Sequence, residues 1–167
     1  MPDLFMRPIC TAEEFASLSR FAADIWREHF SPLLPPGQTE YMIEKFQSAA
    51  AMERQTAEEG YRYYQMEADG LQVGYFAIKP DGSRLFLSKL YVEKSNRGKG
   101  YSSAALNFIK RHCKENGFSA VWLTVNRHNA GPIAVYRHFG FRVIEEKVTD
   151  IGGGYVMDDY FMELLVE

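Results

Sequence analysis

Gly98 and Gly100 stand two residues apart in the run Leu90-Tyr-Val-Glu-Lys-Ser-Asn-Arg-Gly-Lys-Gly-Tyr-Ser-Ser103, between a strand-like segment and a helical one. Residues without a Cβ reach positive φ and let a ligand approach the main chain. A helix that starts at Tyr101 presents N–H groups that no helical carbonyl accepts, at the positive end of its macrodipole. Such a place binds phosphate. Arg97 and Lys99 add positive charge, and Ser102 and Ser103 add hydroxyl donors. Taken alone, the run reads equally well as a solvated basic loop with a tight turn. It is not a P-loop, because the Gly-x-x-x-x-Gly-Lys-Ser/Thr order is missing.

A second run, Thr124-Val-Asn-Arg-His-Asn-Ala-Gly-Pro-Ile-Ala-Val-Tyr-Arg-His-Phe-Gly-Phe141, places Asn126 and Asn129 where an apolar strand ends. Tyr136 follows along the next helix, ahead of Gly140-Phe141. A phenol there can act as a hydrogen-bond donor or a general acid. Met157-Asp-Asp-Tyr160 interrupts the last strand with two carboxylates. These form either a solvated edge or the lining of a polar site beside Asp150-Ile-Gly-Gly-Gly154. Other reactive side chains read as structural. His128 and His138 suit surface or capping positions, Trp26 and Trp122 suit the core, and Cys113 suits a buried helix face.

The elements that must position these residues follow from periodicity and punctuation. Leu4 to Ile9 suits a short strand. Thr11-Ala-Glu-Glu14 is a capping box, and Phe15, Leu18, Phe21, Ala22, Ile25, Trp26 and Phe30 continue a helix to about His29. After Ser31-Pro-Leu-Leu-Pro-Pro-Gly37, a single second helix is expected from about Thr39 to Glu59, stopped by Gly60. Asp69-Gly70 separates two strand-like runs, Tyr61–Ala68 and Leu71–Lys79, as a hairpin turn does. Arg84–Val92 is a third strand, Tyr101–Asn116 a helix, and Ala120–Val125 a strand apolar enough for burial on both faces. A helix over Ala130–Phe139 and strands over Phe141–Asp150 and Tyr155–Val166 complete the chain. The order is β-α-α-β-β-β-α-β-α-β-β. Strands joined by short turns run antiparallel, whereas the strand–helix–strand unit from Arg84 to Val125 is a parallel, right-handed crossover. The expected class is α/β (α+β), a mixed and mostly antiparallel sheet of about seven strands with helices on both faces.

The 167 residues suit one domain spanning 1–167, with 46% hydrophobic and 25% charged residues, as in ordinary globular chains. A net charge of -3 gives no basic footprint for nucleic acid. No apolar run suits a membrane helix, and Met1 to Cys10 lacks the h-region of a signal peptide. Cys10 and Cys113 offer neither a bridge framework nor metal-ligand spacing, so no metal is expected and a cytoplasmic location is the simplest.

Taken together and in this order, the two runs resemble the GNAT family of acyl-CoA-dependent N-acetyltransferases. Arg97-Gly-Lys-Gly-Tyr-Ser102 is similar to that family's Q/R-x-x-G-x-G/A pyrophosphate loop, and Asn129, Tyr136 and Gly140-Phe141 to its N-x-A…Y…G-F segment. The resemblance covers about Tyr61 to Val166. It implies the acyl-CoA N-acyltransferase fold, with acetyl-CoA as co-substrate. It also implies that Leu90 and Val92 hold the pantetheine and thioester carbonyl through their main chains. Main-chain N–H groups of Gly98, Lys99, Gly100, Tyr101, Ser102 and Ser103 would hold the pyrophosphate. Asn129 would contact the cofactor arm, and Tyr136 would lie near the sulfur.

Two departures stand out. Ser102 occupies the last small position of the loop, and the face read as Phe86, Ser88, Leu90 and Val92 carries no glutamate base. The base is then relayed water or a carboxylate such as Glu67, Glu93, Asp158 or Asp159. The implied reaction is acetyl transfer to a primary amine. Glu28, Glu40, Asp150, Asp158 and Asp159 would favour a small cationic acceptor such as a polyamine. Acetylation of a protein amino terminus or lysine, and a CoA-binding module without turnover, are the alternatives. A homodimer through the last strands is compatible with the pattern.

Overall fold

The computed structural model describes residues 4–166, so the first three residues of the opening segment lie outside the description. In chain order the elements are β1 (Phe5–Pro8), α1 (Ala12–Phe30), α2 (Gln38–Gln47), α3 (Ala49–Glu58), β2 (Arg62–Ala68), β3 (Leu71–Asp81) and β4 (Arg84–Val92). A 3-10 turn (Lys94–Asn96) then leads to α4 (Tyr101–Asn116), β5 (Ala120–Asn126), α5 (Ala130–Phe139), β6 (Arg142–Gly152) and β7 (Tyr155–Leu165). The seven strands form one mixed sheet in the order β1-β2-β3-β4-β5-β7-β6. β4 and β5 are parallel, while β5–β7 and β6–β7 are antiparallel. This is the expected sheet. The chain forms two compact units, Met1–Ala77 with Leu90–Tyr101, and Ile78–Lys89 with Ser102–Glu167.

In the first unit the capping box at Thr11 is formed, with Glu14 N–H donating to the Thr11 hydroxyl and Glu14 accepting from the Thr11 N–H. One expectation fails here. The helix predicted over Thr39–Glu59 is two helices, because Ser48 is extended (φ -68, ψ 155) and its hydroxyl caps α3 by accepting from Ala51 N–H. Serine competes for backbone hydrogen bonds, which makes it a better cap than interior helix residue. The break presents Gln47 to a buried polar chain. Trp26 Nε1 donates to Tyr75 Oη (2.7 Å), which donates to Gln47 Oε1 (2.6 Å). Gln47 Nε2 donates to Tyr63 Oη (3.1 Å), which donates to Gln55 Oε1. Four elements are thereby tied to α1 through satisfied groups, and burial pushes the Tyr75 phenol well above its ordinary pKa.

The hairpin turn is as expected, with Asp69 at φ 52 and Gly70 at φ 78. A glycine that the sequence reading passed over matters more. A Cβ on Gly74 would lie 2.4 Å from the Tyr91 carbonyl oxygen and 3.1 Å from Met66 Sδ. Glycine inside a strand marks such a close approach. Here it lets β3 back onto the end of β4, where Glu93 N–H donates to Val73 C=O.

In the second unit β4 meets β5 in register from Arg84↔Ala120 to Leu87↔Leu123, and β5 meets β7 as far as Asn126↔Asp159. Val121, Leu123 and Val125 are buried, as are Met162 on β7 and Ala105, Leu106, Ile109 and Cys113 on α4. Trp122 is not core as expected. It is partly exposed, stacked between Phe86 and Phe161, and its Nε1 donates to Asp81. Along β4 the buried positions are 85, 87, 90 and 92, so the alternation slips by one at Ser88-Lys89. Phe86 and Ser88 therefore do not share a face with Leu90 and Val92, which corrects the face read from strict alternation.

Replacing Gly74 by alanine is expected to destabilise the protein by about 1–3 kcal/mol, because the atom met is main chain and cannot rotate away. A urea unfolding midpoint equal to the parent's would show that the strands part without cost.

Candidate active site

The glycine loop is built from the end of β4 outward. Glu93 starts the 3-10 turn by accepting from the Ser95 N–H and Oγ and from Asn96 Nδ2, and these bonds hold its carboxyl below the usual range. Arg97 then closes the turn. Its N–H donates to Lys94 C=O, its Nε to Val92 C=O (3.1 Å), and its terminal nitrogens to both carboxylate oxygens of Glu28 on α1 (3.2 and 3.0 Å). The guanidinium is a brace for the loop, its charge already matched by Glu28, and Lys99 carries the loop's other cation. Lys99 Nζ makes a long 3.4 Å contact to Asn96 Oδ1 and is exposed. Gly98 (φ 78) and Gly100 (φ 82) both adopt the left-handed conformation, and α4 begins directly after them at Tyr101. Ser102 is half-buried and Ser103 exposed, in the first turn, where backbone N–H groups have no helical acceptor. Leu90 and Val92 are buried, and one lone pair of the Val92 carbonyl is taken by Arg97.

The second unit places the other predicted residues. β5 ends at Asn126, whose Oδ1 accepts from His128 N–H, and Asn129 is the N-terminal cap residue of α5. Both asparagines are buried. Tyr136 is buried on α5 against the Phe141 ring, with centroids 5.6 Å apart. Gly140, at φ 118, ends the helix, and the N–H groups of Gly140 and Phe141 both donate to Tyr136 C=O. Burial pushes the Tyr136 phenol well above its ordinary value, so it stays protonated, and thus a donor, across the neutral range. His128 and His138 are exposed, as expected. Cys113 is a buried free thiol pushed up to about 11 by burial, and so is inert as a nucleophile.

The carboxylates separate clearly. Glu67 is ion-paired with Arg7 (2.6 Å) and also accepts from Gln65, and this pairing holds it below the usual range. Asp158 pairs with Arg127 (2.8 Å), Glu40 with Arg27 (3.0 Å) and Glu28 with Arg97, while Asp150 Oδ1 accepts from Gly152 N–H. Asp159 is unlike all of these. It is 7% exposed, and its Oδ1 and Thr39 Oγ1 are the two buried side-chain oxygens without a hydrogen-bond partner among the described residues. Burial first, and the neighbouring Asp158 second, push its carboxyl up to about 6. Among the described residues, no three His, Cys, Asp or Glu side chains gather as a metal site, and no helix is long and apolar enough to cross a membrane.

With this geometry in place, comparisons with known proteins give a consistent picture. Residues 20–141 match the model of the Acetyltransferase (GNAT) family. An uncharacterized N-acetyltransferase of Mycobacterium bovis is 30% identical over 95 residues, which are 56% of this chain and 60% of that protein. The match thus spans less than two thirds of that relative. Among solved structures, the PaiA N-acetyltransferase of Thermoplasma acidophilum, in complex with coenzyme A, superposes with a TM-score of 0.79 at 20% identity, covering 98% of this chain and 99% of that one. The ribosomal-protein-S18-alanine N-acetyltransferase of Escherichia coli gives 0.71 at 17% identity, over 99% and 95%. At these identities the structures establish the fold.

Gly100→Val should weaken coenzyme A binding, because a β-branched residue resists positive φ and fills space beside the helix start. Gly60→Val is the control. Gly60 has the same φ of 82 and open space around it, at the end of α3. Both variants should lose a similar amount of stability, about 1–2 kcal/mol, and only Gly100→Val should lose affinity in calorimetric titration. Equal affinities in the two would place the phosphate site elsewhere.

Proposed function

The chain belongs to the acetyltransferase (GNAT) family, and we propose that it transfers the acetyl group of acetyl-CoA to a primary amine on a small molecule. The observation that carries this reading is the turn in which Gly98 and Gly100 take positive φ directly ahead of the α4 N-terminus, an arrangement that suits an anion. Main-chain N–H groups from Gly98 to Ser103 hold the pyrophosphate there, and Lys99 adds charge. Leu90 and Val92 meet the pantetheine through their main chains. Asn129 meets the cofactor arm.

The amine nitrogen attacks the thioester carbonyl carbon, a C–N bond forms, the nitrogen passes a proton to water or a carboxylate, and the C–S bond breaks. The departing sulfur takes a proton from Tyr136 Oη. Four of the five carboxylates that favour a cationic acceptor already have partners (Arg97, Arg27, Arg127 and the Gly152 N–H). Asp150, bonded by a neutral N–H, and Asp159 are the two of the five without a cationic partner. Thiol release from acetyl-CoA, read across a panel of small amines, polyamines and peptides, tests the reading. Turnover confined to peptides would move the acceptor to protein. Coenzyme A binding without turnover would make the chain a binding module.

Tyr136→Phe should keep acetyl-CoA affinity, because the ring and its packing remain, and should lower turnover toward the low end of the roughly 10²–10⁴-fold given by positioned acids. The deficit relative to the parent should shrink as pH rises past the ordinary thiol pKa of about 8.5, where thiolate leaves unaided. Comparing variant and parent at each pH cancels ionisation of the amine. A stable variant with parental turnover would remove Tyr136 from the mechanism.

A further inference from the structure

The buried polar side chains of the second unit, among the described residues, are Asn126, Asn129 and Asp159. All three lie at one end. Asn126 is the last residue of β5, directly across the ladder from Asp159, and Asn129 follows as the cap of α5. The rest of that unit's buried set is apolar apart from Cys113 and Tyr136. Desolvating a carboxylate without pairing it is costly, so a fold that served stability alone would place a partner or an apolar residue there. Cationic side chains stand on both flanking segments, yet none pairs with it. Just past the end of β5, Arg127 pairs with Asp158 and Glu146 instead. On β6, Lys147 stands directly opposite Asp159 but is exposed and forms no ion pair with it, while Glu146 flanks that rung. On β7 itself the adjacent residues are Asp158 and Tyr160. Asp159 Oδ1 is therefore a buried acceptor held open beside the asparagines at the mouth of α5.

We propose that Asp159 is the catalytic base, taking the proton from the acceptor nitrogen as that nitrogen attacks the thioester. This rests on the acetyl-transfer reading above. The balance is simple. The C–N bond forms, the nitrogen's proton passes to an Asp159 oxygen, the C–S bond breaks, and sulfur is protonated separately. Asp159 then returns its proton to solvent, and nothing is oxidised or reduced. A carboxyl with a pKa of about 6 is ionised at neutral pH, yet basic enough to take a proton in the transition state.

The same state has a stability signature. The folded pKa lies above the ordinary 3.8, so the folded chain binds the proton more tightly than the unfolded one. Stability is then highest below that ordinary value, falls as pH rises to about 6, and is flat above. Asp159→Asn keeps the shape and removes the charge. It should melt at the parent's temperature or above it at pH 7, with the difference growing from pH 4 to 6, and should bind coenzyme A like the parent. Thiol release with spermidine, or with the fastest amine or peptide of the panel, should fall about 10²–10⁴-fold. The parent-to-variant rate ratio should be constant above pH 6 and shrink below it. Asp159→Ala, tested with added formate, is a second variant, and recovery of rate by that small carboxylate supports the base.

Parental turnover in Asp159→Asn overturns the proposal. So does a deficit equally large at pH 5 and pH 8 without formate rescue. A raised KM for the amine at unchanged kcat assigns Asp159 to ammonium binding and also overturns it. A parent that binds coenzyme A but turns over nothing overturns the transferase reading itself, which is a separate result from a parent that works and a variant that works equally well.

Discussion

The guanidinium of Arg97 holds the turn that carries Gly98 and Gly100 into α4. It bonds back to the last carbonyl of β4 and sideways to both oxygens of Glu28 on α1. Arginine suits this because its donors are fixed in a plane and can meet a carbonyl and a carboxylate together. The pair is partly exposed, so its worth lies less in stability than in fixing where the chain turns. Gly98 and Gly100 can then take their left-handed conformations with α4 pointing its first N–H groups out of the turn. Gly74 contributes from the other side of the strand, letting β3 approach the backbone of Tyr91 and Val92. Two glycines that turn the chain and one that lets it be backed closely do the same work. They remove a Cβ where the main chain turns tightly or is closely approached.

Burial acts on two acids of the second unit with opposite chemical results. It lifts the Tyr136 phenol further from neutrality, so the hydroxyl remains a donor whatever the ordinary pH. It lifts the Asp159 carboxyl toward neutrality, where a carboxylate becomes a useful acceptor. Asp158, next in sequence, pairs with Arg127, and its charge adds to the upward push on its neighbour. Adjacent aspartates on a strand face opposite ways, and that alternation gives them different environments.

Much of the fold was legible because its signals are local. The capping box at Thr11, the Asp69-Gly70 turn, the extent of β4 and the bounds of α4 and α5 follow from residue types a few positions apart. The sheet class followed too, since short turns and one crossover leave few topologies. Where local reading failed, the competing forces were also local but close in strength. Ser48 caps a helix that the apolar spacing would have carried through, and Ser88-Lys89 slips an alternation that strict period two would have kept. Gly74 had a signal, glycine within a strand, although what it meets is set by Tyr91 seventeen positions on.

The sequence by itself determined the loop that turns β4 into α4, the order of asparagine, tyrosine and glycine around α5, and so the family. These are contiguous motifs whose chemistry lies in the residues themselves. Only the tertiary structure decided which charges remain open. Arg97 and Glu28 stand 69 residues apart, and Arg127 and Asp158 31 apart, so which carboxylates are neutralised could not be read along the chain. Asp158 and Asp159 are identical in type and adjacent in sequence. One faces an arginine and the other is buried across from Asn126. Ionisation depends on what lies within a few ångströms in space, and a folded sheet sets those neighbours by pairing distant strands.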